Sequence, residues 1–349
     1  MLRHEHLYDP INRVKDFELS EFTKYVKMRE AQGAHEPTDP DIVGAVRDEF
    51  YGTHTDVSKE QLNDIWRVIG PMSGNNAAFS QFVLDYGGAK SEFFFPWLIT
   101  IAKSPSRALE MSYGSGYDLK GDWVRVISDN DKIARFIHDM PTLVFNRERE
   151  LFMADLVASV QDKGAYATPT KVLDLGAGRM TWARWHGFQF APGKQRIIAY
   201  DKDPSIDPSE LFECTNLERL GLNYCTGDLR EAFSNPGCKN ADLIMLAGVA
   251  SYMPLETFVS AIMMPVYGFL KHGGVFFFDL QLDCPQYEWT IKLFDWPEMN
   301  LAKSPEALIA QLERVRRELW EKGLKFGAEY QLDTYNMAPS AVMVTLTRI

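Results

Sequence analysis

The amino-acid sequence predicts an α/β protein, with an α-helical N-terminal part followed by an open, mostly parallel sheet that ends in an antiparallel strand. Three observations predict it. After Pro169, short apolar β-rich runs alternate with helix-patterned stretches, the order that β-α-β crossovers give around a buried parallel sheet. Ahead of about residue 145 the chain reads as helix-periodic segments and turns. The last two β-rich runs, 326–335 and 341–348, are joined by a Pro-containing turn, as antiparallel neighbours are. The expected division is a helical cap or lid over residues 1–145 and a sheet domain over residues 146–349.

Size and composition agree with two globular units. The chain has 349 residues, and at about 150 residues per domain that suggests roughly two domains. Hydrophobic residues make up 46% and charged residues 24%, which excludes a disordered chain, a collagen-like repeat and a coiled-coil rod. The net charge of −11 repels phosphate backbones, and the basic runs are short and mixed, as at residues 314–317. Cys214, Cys225, Cys238 and Cys284 lie far apart, with no Cys-x-x-Cys pair and no zinc-ligand spacing, so free thiols in a reducing compartment and no metal site are expected. No apolar stretch follows the first residues, and the longest apolar run, 93–102, is about half a membrane span and is interrupted by Pro96. A cytoplasmic location is the resulting expectation.

In chain order, Ser20 precedes a helix over 21–31, and Pro40 opens another running to Tyr51. Ser58 and Gln61 form a capping-box pattern ahead of Leu62, Ile65, Trp66 and Ile69. A helix over 77–86 stops at Gly87-Gly88, an apolar patch covers 93–101, and Tyr113-Gly-Ser-Gly-Tyr117 reads as a flexible loop. Helices over 129–138 and 142–161 follow. Strands are expected at 171–175, 196–200, 222–225, 242–246 and 275–279. Between the last two, a helix over 255–272, kinked or split at Pro265, is expected to end at Gly273-Gly274, with His272 as a cation at its C-terminus. A final helix spans 305–321 and stops at Gly323.

The strongest chemical signal is Val172-Leu-Asp-Leu-Gly-Ala-Gly178, a strand that runs straight into a Gly-x-Gly turn and then a helix. Gly176 and Gly178 allow a sharp turn and close approach of a ligand, and the next helix would offer its N-terminal N–H groups to a carboxylate or a phosphate. A tight turn without a ligand is the alternative. A dinucleotide loop wants Gly or Ala three residues after the second glycine, where Thr181 stands. Asp174 would repel a pyrophosphate but suits a zwitterion carrying an ammonium. A second signal is Asp201, which ends the next strand about 25 residues on, where a carboxylate can accept both hydroxyls of a ribose or else cap a turn.

Taken together these segments resemble the class I S-adenosylmethionine-dependent methyltransferases. The glycine turn resembles their first motif and Asp201 their acidic second-strand end. Gly227-Asp228-Leu229 is similar to the segment that meets the adenine. The stretch from Ala241 through Leu246-Ala-Gly-Val to Tyr252 resembles the fourth-strand end, and Leu270-Lys-His-Gly-Gly is similar to the fifth-strand entry, with His272 where proline is usual. The resemblance covers residues 145–349 and implies a Rossmann-like fold, S-adenosyl-L-methionine as cofactor, and in-line methyl transfer. It implies that Asp174, Gly176, Ala177 and Gly178 hold the amino-acid end. Asp201 would take the ribose, Lys202, Asp228 and Leu229 the adenine, and Ala247 and Gly248 the ammonium end through their carbonyls. Trp182 and Tyr252 are candidate pocket walls. Asn146, Arg147 and Arg149 either offer a guanidinium to the methionine carboxylate or form a solvated helix face.

No catalytic base is assigned; His186, Asp279 and Asp283 are candidates, each with a plain structural alternative. The front-half aromatics Tyr86, Phe93, Phe94, Phe95, Trp97, Tyr117 and Trp123 line either an acceptor pocket or a core. The Asn/Asp-Pro-Pro-Tyr/Phe and Pro-Cys motifs of nucleic-acid methyltransferases are absent, so the expected acceptor is a small molecule or a polypeptide. Rival readings are aminopropyl transfer, a cofactor-binding regulator without turnover, and a nicotinamide-dependent oxidoreductase. The sequence does not set the oligomeric state.

Overall fold

A computed structural model of the protein describes residues 21–33, 77–87, 90–112, 115–117, 123–125, 131–138, 141–163, 169–186, 193–212, 220–283, 299–338 and 341–349, with a few single positions between them. The helices expected over 40–51 and after Ser58 lie outside the described residues, as do Cys214 and Cys284.

The front half holds α1 (Glu21–Ala31), α2 (Ala77–Asp85), α3 (Phe94–Lys103) and α4 (Pro105–Ser112), then β1 (Ser115–Tyr117), β2 (Trp123–Arg125) and α5 (Lys132–His138). Pro96 leaves α3 intact because it sits in the first turn, where backbone N–H groups have no helical partner. Phe93, Phe94 and Trp97 are buried, and the Trp97 indole N–H donates to the Ala108 carbonyl at 3.0 Å, tying α3 to α4. These rings are core, and Tyr86 packs on Tyr25 and Phe82. The side chains of Phe95, Tyr117 and Trp123 are not among those described. The segment read as a flexible loop is in part a strand. Ser115–Tyr117 pairs antiparallel with Trp123–Arg125, a partner that local sequence does not reveal.

The long helix α6 (Pro141–Lys163) leads into β3 (Thr170–Leu175), α7 (Thr181–His186), β4 (Gln195–Asp201), α8 (Pro208–Phe212), β5 (Leu222–Thr226) and β6 (Ala241–Leu246). After α9 (Leu255–Phe258) one π turn, Val259–Met263, leads into α10 (Met264–Phe269). The π turn lies directly ahead of Pro265, which has no N–H to give to the carbonyl four residues back. Then come β7 (Leu270–Gln281), α11 (Pro305–Glu321), β8 (Tyr330–Ala338) and β9 (Ala341–Arg348). The seven strands run in the order β5-β4-β3-β6-β7-β9-β8; β3–β7 are parallel and β9 alone runs against its neighbours. This is the mostly parallel sheet with an antiparallel C-terminal strand that the sequence predicts.

One boundary differs. The helix expected to reach His272 ends at Phe269, and Leu270 through Gly274 belong to β7. Gly273 (φ +76) and Gly274 form an irregularity in that strand rather than a helix cap, and a Cβ at Gly274 would stand 2.8 Å from the Ala241 carbonyl oxygen. His272 is therefore an exposed strand residue, not a helix C-terminal cation.

Alternation along the strands splits the core into two layers. Leu173, Leu175, Ile198, Ile244, Leu246, Phe276 and Phe278 face α11 and the α9–α10 segment. Val172, Ile197, Ala199, Leu243, Met245 and Phe277 face α6 and α7. Asp174 shares the parity of Val172, so the fold points its carboxylate to the α6 and α7 side. The strand order reverses between β3 and β6, which puts the crevice used by ligands in open α/β sheets at the carboxyl ends of these two strands.

Candidate functional site

At the end of β3 the backbone turns through Gly176 (φ +72), Gly178 (φ +53) and Met180 (φ +54). A Cβ at Gly176 would stand 2.6 Å from Val249 Cγ2, so the turn packs directly on the loop after β6. Gly178 has open space at its Cβ position. The turn's N–H groups point into the protein. Those of Gly176 and Ala177 donate to the Tyr200 carbonyl at 2.8 and 3.1 Å, that of Gly178 to Asp201 Oδ2 at 2.7 Å, and that of Trp182 to Glu150 Oε2 at 2.8 Å. A ligand carboxylate or phosphate would have to compete with these partners for the same four amides. Glu150 already neutralises the start of α7, and a second anion there would meet carboxylates.

What the site offers instead is buried carboxyl groups. Asp174 is fully buried; its Oδ2 accepts the Trp182 indole N–H at 2.8 Å, and its Oδ1 is buried without a hydrogen-bond partner. Burial pushes its pKa up to about 7 and the Glu150 and Asp201 charges add to that, against the opposing Trp182 bond. Burial also raises Glu150, which Arg149 opposes. A buried acceptor left unpaired costs about 1–3 kcal/mol, so this oxygen is primed for a donor. Trp182 is thus not a pocket wall as expected: it is almost wholly buried and positions Asp174.

Arg149 and Glu150 are buried too, which removes the solvated-face reading for them. The reason is that α6 packs on the sheet at β3, β6 and β8 and against α5 and α7. Arg149 Nη2 is 3.6 Å from Glu150 Oε1, and Nη1 is 3.9 Å from Asp279 Oδ2. A Cβ at Gly248 (φ +71) would stand 2.9 Å from Arg149 Nη1, so only glycine lets the guanidinium lie against the turn after β6. Arg147 is turned elsewhere, donating to the His138 carbonyl at 2.6 Å, and Asn146 is buried. Ala247 is half-buried against the α6-side core, and Tyr252 follows in the next turn, its hydroxyl pushed up to about 12 by burial.

On the other side of β3, Asp201 Oδ1 accepts from the Asp203 N–H at 2.8 Å, and burial raises its pKa. With Oδ2 on Gly178, each oxygen keeps a lone pair for a further donor. Lys202 is exposed beside it, and the Gly227 N–H donates to the Asp201 carbonyl at 2.8 Å, which brings the end of β5 alongside. Asp228 caps the following turn and holds Arg230 through both oxygens at 2.8 Å, an ion pair that lowers its pKa to about 2. Leu229 is half-buried on the sheet core.

Two of the candidate bases are committed elsewhere. Asp279 Oδ1 accepts the Gly248 N–H at 2.5 Å and Oδ2 accepts from Gln281 at 2.9 Å, so Asp279 holds the turn after β6. Asp283 pairs with Lys303 at 2.7 Å. The His186 side chain is not among those described. Sequence reasoning missed Glu150, which is concealed in the alternating charges of Arg147 to Glu150. It also missed Tyr224, whose hydroxyl donates to the Gly178 carbonyl at 2.8 Å; no local pattern marks either. Among the described residues no group of three or more His, Cys, Asp or Glu side chains could hold a metal ion, and no helix is long and apolar enough to cross a membrane.

The sheet order decides the fold. The chain has a class I methyltransferase-like fold. No family model and no curated protein matches the sequence. Among solved structures, a possible exported protein from Bordetella parapertussis is similar over 89% of this chain and 99% of its own, at 15% identity and a TM-score of 0.50. The magnesium protoporphyrin IX methyltransferase of Synechocystis PCC 6803, solved with bound SAH, is similar over 71% of this chain and 96% of its own, at 12% identity and a TM-score of 0.42. A Burkholderia thailandensis 1,6-didemethyltoxoflavin-N1-methyltransferase, solved with S-adenosylhomocysteine, is similar over 59% and 80%, at 13% identity and a TM-score of 0.37. At these identities the likeness concerns the fold.

Proposed function

We propose that the chain is a cytoplasmic S-adenosyl-L-methionine-dependent methyltransferase that acts on a small-molecule or polypeptide acceptor, with residues 1–145 as its cap. The observation that carries this reading is the fully buried, unpartnered Oδ1 of Asp174 at the end of β3, beside a turn whose Gly176, Ala177 and Gly178 amides are already bonded within the protein. An unpaired carboxylate acceptor asks for a cation and discourages a phosphate, which supports an amino-acid tail over a nicotinamide dinucleotide.

In this reading Asp174 holds the α-ammonium, aided by the carbonyls of Ala247 and Gly248, and Arg149 faces the carboxylate. Gly176, Ala177 and Gly178 form the floor beneath the tail. Asp201 accepts the ribose hydroxyls, and Lys202, Asp228 and Leu229 border the adenine. When bound, the cofactor supplies an activated sulfonium methyl group. The chain's part is then to align the acceptor with that methyl and to exclude water, which can supply much of the acceleration. Residues 247–252 after β6 contain no acidic side chain, which supports methyl over aminopropyl transfer. The free thiols of Cys225 and Cys238 accord with a reducing compartment. The test is calorimetric titration with S-adenosylhomocysteine and, separately, with NADH. Binding of the first and not the second is expected; the reverse would overturn the reading.

A further inference from the structure

The cofactor turn is held from a direction the sheet does not supply. Glu110, on α4, spans Arg179 and Arg184: Arg179 Nε lies 2.9 Å from Glu110 Oε2, and Arg184 Nη1 pairs with Oε1. All three side chains are largely buried, at 15%, 7% and 19% exposure for Glu110, Arg179 and Arg184, so solvent screens these pairs little. Arg179 directly follows Gly178, and Arg184 lies on the helix the turn opens into. One carboxylate from the front half thereby grips both the residue that follows Gly178 and the helix into which the turn opens.

That segment needs holding. Gly178 and Met180 both have positive φ, and for methionine this conformation is uncommon and costly. Such backbone persists where its surroundings over-determine it. Here the restraints converge from four elements. Asp201 on β4 takes the Gly178 N–H, Tyr224 on β5 donates to the Gly178 carbonyl, Glu150 on α6 takes the Trp182 N–H, and Glu110 on α4 grips the Arg179 side chain. The first two belong to the sheet and the third to the long helix packed on it. Of these four, Glu110 is the one contributed by residues 1–145. A second contact between the same regions lies close by, Ser104 Oγ to Ser205 Oγ at 3.3 Å, on the loop that follows Asp201.

We propose that Glu110 is a positioning residue for the cofactor turn: by bridging Arg179 and Arg184 it holds residues 178–182 in the binding-competent conformation and makes cofactor affinity depend on the helical front half. The affinity part rests on the function proposed above; the positioning part does not. Glu110 itself touches no proposed cofactor atom, so its effect passes through the two arginines.

The test compares the full-length protein with Glu110→Gln, which keeps shape and loses charge, and Glu110→Asp, which keeps charge on a shorter stem. Hydrogen exchange of the ligand-free proteins reads the turn directly, and calorimetry with S-adenosylhomocysteine reads the coupling. Faster exchange confined to residues 176–184 in Glu110→Gln, a roughly 5–20-fold weaker affinity for S-adenosylhomocysteine, and partial recovery of both in Glu110→Asp are expected, the scale of a lost charge-assisted contact. Unchanged exchange in that segment, or a uniform rise across the whole protein, overturns the positioning role. A changed turn with unchanged affinity overturns the coupling. If the native protein binds no S-adenosylhomocysteine, the proposed function and the coupling both fall, while the exchange data still decide whether Glu110 positions the turn.

Discussion

The two ends of the crevice treat their carboxylates in opposite ways. At the β3–β6 end, Asp174, Glu150 and Asp279 are buried around one guanidinium, and an oxygen of Asp174 is left without a donor. At the β4–β5 end, Asp201 is half-buried and already bonded to backbone, and Asp228 is 38% exposed and closed into a pair with Arg230. The difference lies in solvation. A desolvated carboxylate gains strongly from a cation, whereas one that water and an arginine already satisfy gains little. In the proposed reading, the buried end recognises charge and the open end recognises hydrogen-bond geometry.

The sharpest way to break this contrast is Asp174→Ala. It should weaken S-adenosylhomocysteine binding by about 3 kcal/mol, the upper range for hydrogen bonds to charged groups, as read by calorimetry. Asp201→Ala should cost about 1–3 kcal/mol of the same affinity, because ribose hydroxyls would lose a partly buried acceptor. An unchanged affinity in a folded Asp201→Ala variant would remove that assignment. Asp228→Ala should be mildest, below about 1 kcal/mol, since the carboxylate stands in water and would have to share itself with Arg230.

The buried end also predicts a pH dependence. With its pKa raised from the usual carboxylate range to about 7, Asp174 stays protonated in the folded, ligand-free protein at pH values where the unfolded chain has already ionised. Its contribution therefore makes the ligand-free fold less stable as pH rises from about 4 to about 7, and constant above that. Asp174→Asn should gain stability over the native protein at pH 8 and not at pH 4, in urea unfolding. Binding of an ammonium runs the other way, so affinity for S-adenosylhomocysteine should tighten as pH rises through about 7. A flat profile in both experiments would place the charge elsewhere.

The sheet was largely legible because its signals are local. Alternating apolar runs, a Gly-x-Gly turn and an acidic strand end are each written in a few adjacent residues, and β3 to β6 lie within two residues of the expected positions. Gly273-Gly274 misled because two glycines mark a helix end and a strand irregularity equally well. The site was legible only where it is local too. Asp174 and Asp201 stand at strand ends that a motif identifies, but the partners that give them their character come from α6, α7 and β5. Glu150, Tyr224 and Glu110 reach the turn across 32, 46 and 69 positions of chain, a proximity that only the folded topology creates. The same holds for the turn's amides: the motif places them at the crevice, and the Tyr200 carbonyl one strand away turns them inward.

The most direct measurement is a crystal structure of the protein grown with S-adenosylhomocysteine. The proposed function requires the α-ammonium on Asp174 Oδ1 and the ribose hydroxyls on Asp201. A crevice that stays closed by protein side chains, or a ligand whose amino-acid end avoids Asp174, would contradict it.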